Sequence, residues 1–180
     1  MKNFKEKGFA YERKLARILG EWWCHDPKAL WRNTNSGARA TVVGQVYGGD
    51  IIPANGSCGA WPLCIEIKKA EGWSIEEFLN GNPGNLLLAH MMQCLSSSQL
   101  GCNKIPILIC KKNHRKPLVF LYKYKTRNNI SHVPFLSRLK WQEPIPSTLA
   151  NRYPWNGKKP DFYILHLDAF LRYFHREDFL

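Results

Sequence analysis

Between Phe4 and Trp23, Tyr11, Leu15, Ile18, Leu19 and Trp22 recur at intervals of three and four, the stripe of an amphipathic helix. Glu12 interrupts this stripe three residues before Leu15 and seven before Leu19, which aims a carboxylate toward the core side instead of solvent. A polar stretch from Asn33 to Gly37 follows. Ala40 to Val46 then reads as a strand, and Gly48-Gly49 turns the chain into Asp50-Ile51-Ile52. Asn55 to Gly59 is rich in turn formers. Pro62 to Lys69 alternates as a strand, with Leu63, Ile65 and Ile67 on one face and Cys64, Glu66 and Lys68 on the other. Ser74 with Glu77 forms a capping-box signature for a short helix, a sufficient structural reason for Glu77. Leu86 to Leu100 reads as a mostly buried helix ended by Gly101. Ile105 to Cys110 and Pro117 to Tyr122 are strands joined by the basic turn Lys111 to Lys116, which predicts a hairpin. Residues 126–160 hold five prolines with scattered aromatic and basic residues and suit an irregular insertion. Phe162 to Leu167 resumes a strand, and Ala169 to Phe174 a short helix.

At 180 residues, with 44% hydrophobic and 22% charged residues, the chain fits one globular domain, 1–180, and neither disorder nor a fibrous repeat. No apolar run approaches the roughly 18 residues of a membrane span; Leu86 to Leu95, the nearest, contains His90 and Gln93. The charged N-terminus is not followed by an apolar segment of the secretory kind, so a cytoplasmic location is expected. The six cysteines show no CxxC pair and no zinc spacing and are expected to be reduced, with Cys64, Cys94 and Cys110 buried as small hydrophobes. The 26 Lys and Arg against 14 Asp and Glu leave a formal charge of +12. A polyanionic partner follows, with nucleic acid ahead of an anionic membrane surface.

Glu12, Asp50, Glu66 and Lys68 stand where surface decoration is an awkward explanation. Glu66 and Lys68 leave the same strand face about 6–7 Å apart, and the glycine turn before Asp50 can bring its carboxylate beside Glu66. Adjacent carboxylates repel unless a cation joins them, and hard oxygen ligands suit Mg2+ or Mn2+. Such an ion acidifies water for attack on a phosphodiester, and Lys68 can neutralise charge developing on the phosphate. The competing reading is a solvent-facing Glu66–Lys68 pair on an edge strand. The aliphatic residues around it argue instead for a buried central strand, where unpaired charges are costly.

These residues resemble the PD-(D/E)XK nucleases, and among them the archaeal-type Holliday junction resolvases. Lys7-Gly8 through Glu12-Arg13 and Leu15 looks like their opening helix motif, Arg32 to Ser36-Gly37 like their serine loop, Gly49-Asp50-Ile51-Ile52 like the acidic motif, and Ile65-Glu66-Ile67-Lys68 like the catalytic strand. The likeness covers about residues 5–110, and Gly49 stands where the motif's name has proline. It implies an α/β (α+β) restriction-endonuclease-like fold, a mixed central β-sheet flanked by helices. It also implies a metal held by Asp50, Glu66 and Glu12 with the carbonyl of Ile67, Lys68 assisting the water, and Ser36 approaching the scissile phosphate. Gln93 lies on the following helix, where related nucleases place a glutamine near the site.

The expected activity is therefore metal-dependent endonucleolytic hydrolysis of DNA, selective for branched substrates, by a homodimer, since two symmetric nicks need two sites. A general duplex nuclease or nickase of the same fold, or a non-catalytic basic DNA-binding protein, are the alternatives. Arg13, Arg32, Arg39, Lys69, Lys111 and Lys112 are candidate DNA contacts. Trp61, Trp73, Trp141 and Trp155 are candidates for stacking on unpaired bases, with core packing the stronger expectation for most of them. A small nuclease of this kind suits a virus or mobile element as readily as a cellular genome.

Overall fold

Helix α1 (Phe4–Cys24) follows its apolar stripe: Leu15, Ala16, Leu19 and Trp23 are buried on one side, while Arg13, Lys14 and Arg17 face solvent. It stops at His25, which takes a left-handed conformation (φ 54°) and donates its N–H to the carbonyl of Glu21 at 3.0 Å, an αL cap. The computed structural model describes residues 4–34, 48–54, 61–80, 85–101, 104–122 and 162–179. Ala40 to Val46, Asn55 to Gly59 and the insertion at 126–160 lie outside them, as do Ser36, Arg39, Trp141 and Trp155.

Strands β1 (Leu30–Arg32) and β2 (Ile51–Pro53) pair antiparallel. The sheet proper is β3 (Leu63–Lys69), β4 (Ile105–Lys111), β5 (Leu118–Tyr122) and β6 (Phe162–His166), in that spatial order. β3 and β4 run parallel, Glu66 opposite Leu108 and Lys68 opposite Cys110; the other pairs are antiparallel, so the sheet is mixed. The parallel step is crossed by α2 (Ile75–Leu79) and α3 (Leu86–Gly101), and α4 (Leu167–Tyr173) follows β6. The expected basic-turn hairpin forms between β4 and β5. Ser74 caps α2 by accepting the N–H of Glu77 at 3.2 Å, the serine half of the expected capping box, while its hydroxyl donates to Glu76 Oε2 at 2.8 Å.

The sheet divides two cores. On one face Leu63, Ile65, Ile67, Ile107, Ile109 and Leu121 pack against α1 and the Phe170, Phe174 and Phe179 aromatics of the C-terminal segment. The Trp22 indole donates to the carbonyl of Phe174 at 2.8 Å and ties that segment to α1. On the other face Leu108, Cys110 and Phe120 meet Phe78, Leu87, Met91 and Cys94 of α2 and α3. Every side chain of β3 from Leu63 to Ile67 is buried, so the alternation in its sequence marks two cores and not a wet and a dry face. Among the described strands β3 ends the four-stranded order, helices cover both its faces, and the β1–β2 pair lies beside its outer edge, where the Asp50 N–H meets the Ile65 carbonyl; the expected burial of this strand is observed.

Cys64, Cys94 and Cys110 are buried thiols outside any disulfide, as expected. Cys24 departs from the expectation of reduced thiols: it is disulfide-bonded. It stands half-buried at the end of α1, outside the apolar segments that seclude the other three. Truncating the fully buried Phe120 to Ala should cost about 3–5 kcal/mol in urea unfolding, since its ring fills the α2–α3 side of the sheet.

Candidate metal-dependent nuclease site

The approach of Asp50 to β3 is set by backbone. The Asp50 N–H donates to the carbonyl of Ile65 at 2.6 Å, and the Ile67 N–H donates to Asp50 Oδ2 at 2.7 Å, so this residue docks through main chain and side chain together. Gly49 makes the approach possible. Its φ is +89°, and a Cβ there would lie 2.7 Å from the Ile65 carbonyl oxygen and 2.8 Å from its nitrogen. Proline, fixed near φ −65°, cannot take this conformation, which explains glycine at the motif's proline position. Asn33, 4% exposed, holds the turn from the other side: its N–H donates to the Asp50 carbonyl at 2.7 Å and its Nδ2 to the Gly49 carbonyl at 3.0 Å.

Glu66, next to Ile67 on β3, is 4% exposed. Its Oε1 accepts from Lys68 Nζ at 2.6 Å and from Gln93 Nε2 at 3.0 Å. The glutamine expected near the site from its place on α3 therefore touches the central carboxylate. Burial pushes the Glu66 carboxyl above the usual range, the charge of Asp50 pushes it further, and Lys68 opposes both. Glu12 is ion-paired with Arg32, whose guanidinium also stacks 3.7 Å over the Phe9 ring. Burial raises the Glu12 carboxyl as well, against the pull of Arg32.

Sequence reasoning passed over two residues here. Asn33 belongs to the polar stretch, and its link to Asp50 exists only in the fold. His90, one turn before Gln93 on α3, is half-buried with Nε2 lacking a hydrogen-bond partner among the described residues. Burial and then the charge of Lys68 hold its imidazole below the usual range, hence neutral near pH 7. The spacing of His90 and Gln93 on one helix face was the available signal.

The candidate DNA contacts fall in more than one place: Arg13 shares one groove with Arg32 and another with Lys69, while Lys111 and Lys112 belong to the end of β4 and its turn. Arg32 is engaged by Glu12. Lys69 lies 5.8 Å from the Tyr11 ring centre and Lys112 4.8 Å from that of Trp73. Lys111 donates to the carbonyls of Lys112 and Arg115 within its own turn, while Arg13 is exposed on α1. Trp61 and Trp73 are buried, in keeping with core packing.

Residues 3–149 match the model of a family described as phage putative PDDEXK endonuclease. The chain belongs to this family. The match reaches past the residues that carried the motif resemblance, and it fits the mixed sheet flanked by helices. It supports the superfamily and DNA as substrate, while the narrower likeness to archaeal-type resolvases rests on the motifs alone. No curated protein and no solved structure matches the chain. No helix among the described residues is long and apolar enough to cross a membrane.

Nucleases of this superfamily generally use divalent metal ions. Among the described residues no three His, Cys, Asp or Glu side chains form a ready-made metal cage. The donors that are present fit a different mode. Mg2+ is commonly held by one or two carboxylates, with water and substrate phosphate filling the remaining positions, and Asp50 with Glu66 offers two carboxylates whose mutual repulsion a cation would relieve.

Two expectations follow. At Glu12 and Glu66 the folded chain keeps its protons to higher pH than the unfolded one, so these two groups contribute metal-free stability that is lost as pH rises from about 4.5 through their folded values. In EDTA, Glu66→Gln should flatten this slope in urea unfolding followed across pH. Asn33→Ala keeps the backbone bond to Asp50 but leaves the buried Gly49 carbonyl without its Nδ2 donor and should cost about 1–3 kcal/mol in the same assay at fixed pH.

Proposed function

We propose that the chain is a divalent-metal-dependent endodeoxyribonuclease that uses Mg2+ or Mn2+ and acts selectively on branched DNA, in the manner of a Holliday junction resolvase. The observation that carries this reading is the docking of Asp50 on the amide of Ile67, which sets one carboxylate beside the buried Glu66 and its partners Lys68 and Gln93. Asp50 and Glu66 would hold the ion, with the Ile67 carbonyl and Glu12 as further oxygens. The ion supplies Lewis acidity toward water and phosphate when bound.

The chain's own residues do the rest. Lys68 has its ammonium on Glu66 Oε1 and can shift toward an anionic phosphate, since it is only partly buried and has a flexible stem. Gln93 holds the same oxygen as Lys68 and would keep the Glu66 carboxylate oriented if the lysine moves. The Glu12–Arg32 pair would place a cation beside the site. Ser36 is proposed to approach the scissile phosphate, and Arg39, Lys69, Lys111 and Lys112 to meet the backbone further out. The motif likeness to resolvases supports branched DNA as substrate and a homodimer with two sites, each protomer a single domain.

On labelled four-way junction and matching linear duplex, the protein should nick the junction in Mg2+ or Mn2+ and not in EDTA. Glu66→Ala should lower the cleavage rate at least ~100-fold, the scale of losing a group that acts in the transition state. Equal cutting of both substrates would replace branch selectivity with general nuclease action. Binding without cutting in either metal would leave a basic DNA-binding domain.

A further inference from the structure

Trp31 is 63% exposed, more than any other large hydrophobic side chain among the described residues. Its ring is nevertheless fixed. The indole Nε1 donates to the carbonyl of Lys28 just before β1 at 2.9 Å, so its polar edge is satisfied locally while much of its apolar surface stays in water. The surroundings are cationic: Trp31 borders a groove of about 390 Å3 that also receives Arg13, Arg17, Lys28 and Arg32, with no acidic residue among the described lining. Arg13 and Arg17 stand one turn apart on the exposed side of α1. Arg32 belongs to both places, since its guanidinium pairs with Glu12 of the candidate site. The groove therefore adjoins the site.

We propose that this groove binds unpaired nucleotides of the DNA substrate, one base stacking on Trp31 while neighbouring phosphates meet Arg13, Arg17 and Lys28. A held aromatic ring among cations is the chemistry of single-strand recognition, because every base offers a π-face and every linkage an anion. Bases inside a blunt duplex are already stacked on one another and cannot use the ring. Ala16, Pro27 and Leu30 give the groove an apolar lining beside the indole, and the exposed Arg13, Arg17 and Lys28 add anion-binding positions that an apolar protein segment would leave unused and a nucleotide would fill. The occupant rests on the nuclease reading only for its being DNA. It adds which feature of the substrate the enzyme holds: the unpaired nucleotides of a branch, flap or gap.

The test is fluorescence anisotropy in EDTA with the full chain, comparing labelled oligothymidylate with a blunt duplex of equal length. Trp31→Ala should weaken oligothymidylate binding about 5- to 100-fold, the scale of one base–aromatic stack. Trp31→Phe should keep most of the affinity, and the blunt duplex should be nearly unaffected. Arg17→Ala should reduce the salt slope of oligothymidylate binding by roughly 0.7. Unchanged binding by Trp31→Ala, equal loss on both DNAs, or Trp31→Phe as weak as Trp31→Ala would each overturn the platform. Glu66→Ala cleaving at the wild-type rate would instead overturn the nuclease reading, and the metal-free binding result would stand apart from it.

Discussion

Two hydrogen bonds between Asp50 and β3 organise the site. One joins main chain to main chain, Asp50 N–H to the Ile65 carbonyl, and the other joins the Ile67 N–H to the Asp50 carboxylate. They satisfy one backbone acceptor and one backbone donor of β3 on the side away from β4. They also fix an acid next to the residue that precedes Ile67 in sequence, Glu66. The conformation of Gly49 and the two donors of Asn33 support this docking. Fold and candidate chemistry thus rest on the same few atoms.

Burying carboxylates in this way is unfavourable, and the fold offsets it locally. Lys68 and Gln93 meet one oxygen of Glu66, and Arg32 meets Glu12. The compensation is incomplete, since both carboxyls remain raised. A site left short of positive charge has a reason to bind a cation, and family membership gives that reason a chemistry. The neutral His90 near Lys68 adds no charge of its own near pH 7.

Much of this was legible in the sequence because charge among aliphatic residues is conspicuous. Glu66 and Lys68 in an otherwise apolar strand, and Asp50 before Ile51-Ile52, could be singled out on burial cost alone. Gln93 could be singled out only through helix position and family likeness. The burial of β3 was readable from its aliphatic residues, whereas the strand order and the docking of Asp50 beside it were not, because both depend on partners distant in sequence. Asn33 and His90 escaped because their parts depend on partners distant in sequence. Trp31 escaped because a three-residue strand has no periodicity to mark its exposed side. Cys24 shows the limit of composition: seclusion in apolar segments described three cysteines and did not extend to a fourth at a helix end.

The central claim is that Asp50 and Glu66 together form one divalent-cation site. Titration of the metal-free protein with Mn2+, followed by the loss of the free-ion electron paramagnetic resonance signal, tests it without DNA or turnover. The account predicts saturable binding to the wild-type chain, lost in both Asp50→Asn and Glu66→Gln while circular dichroism shows the fold retained. Mn2+ binding of undiminished affinity in either folded variant would contradict it.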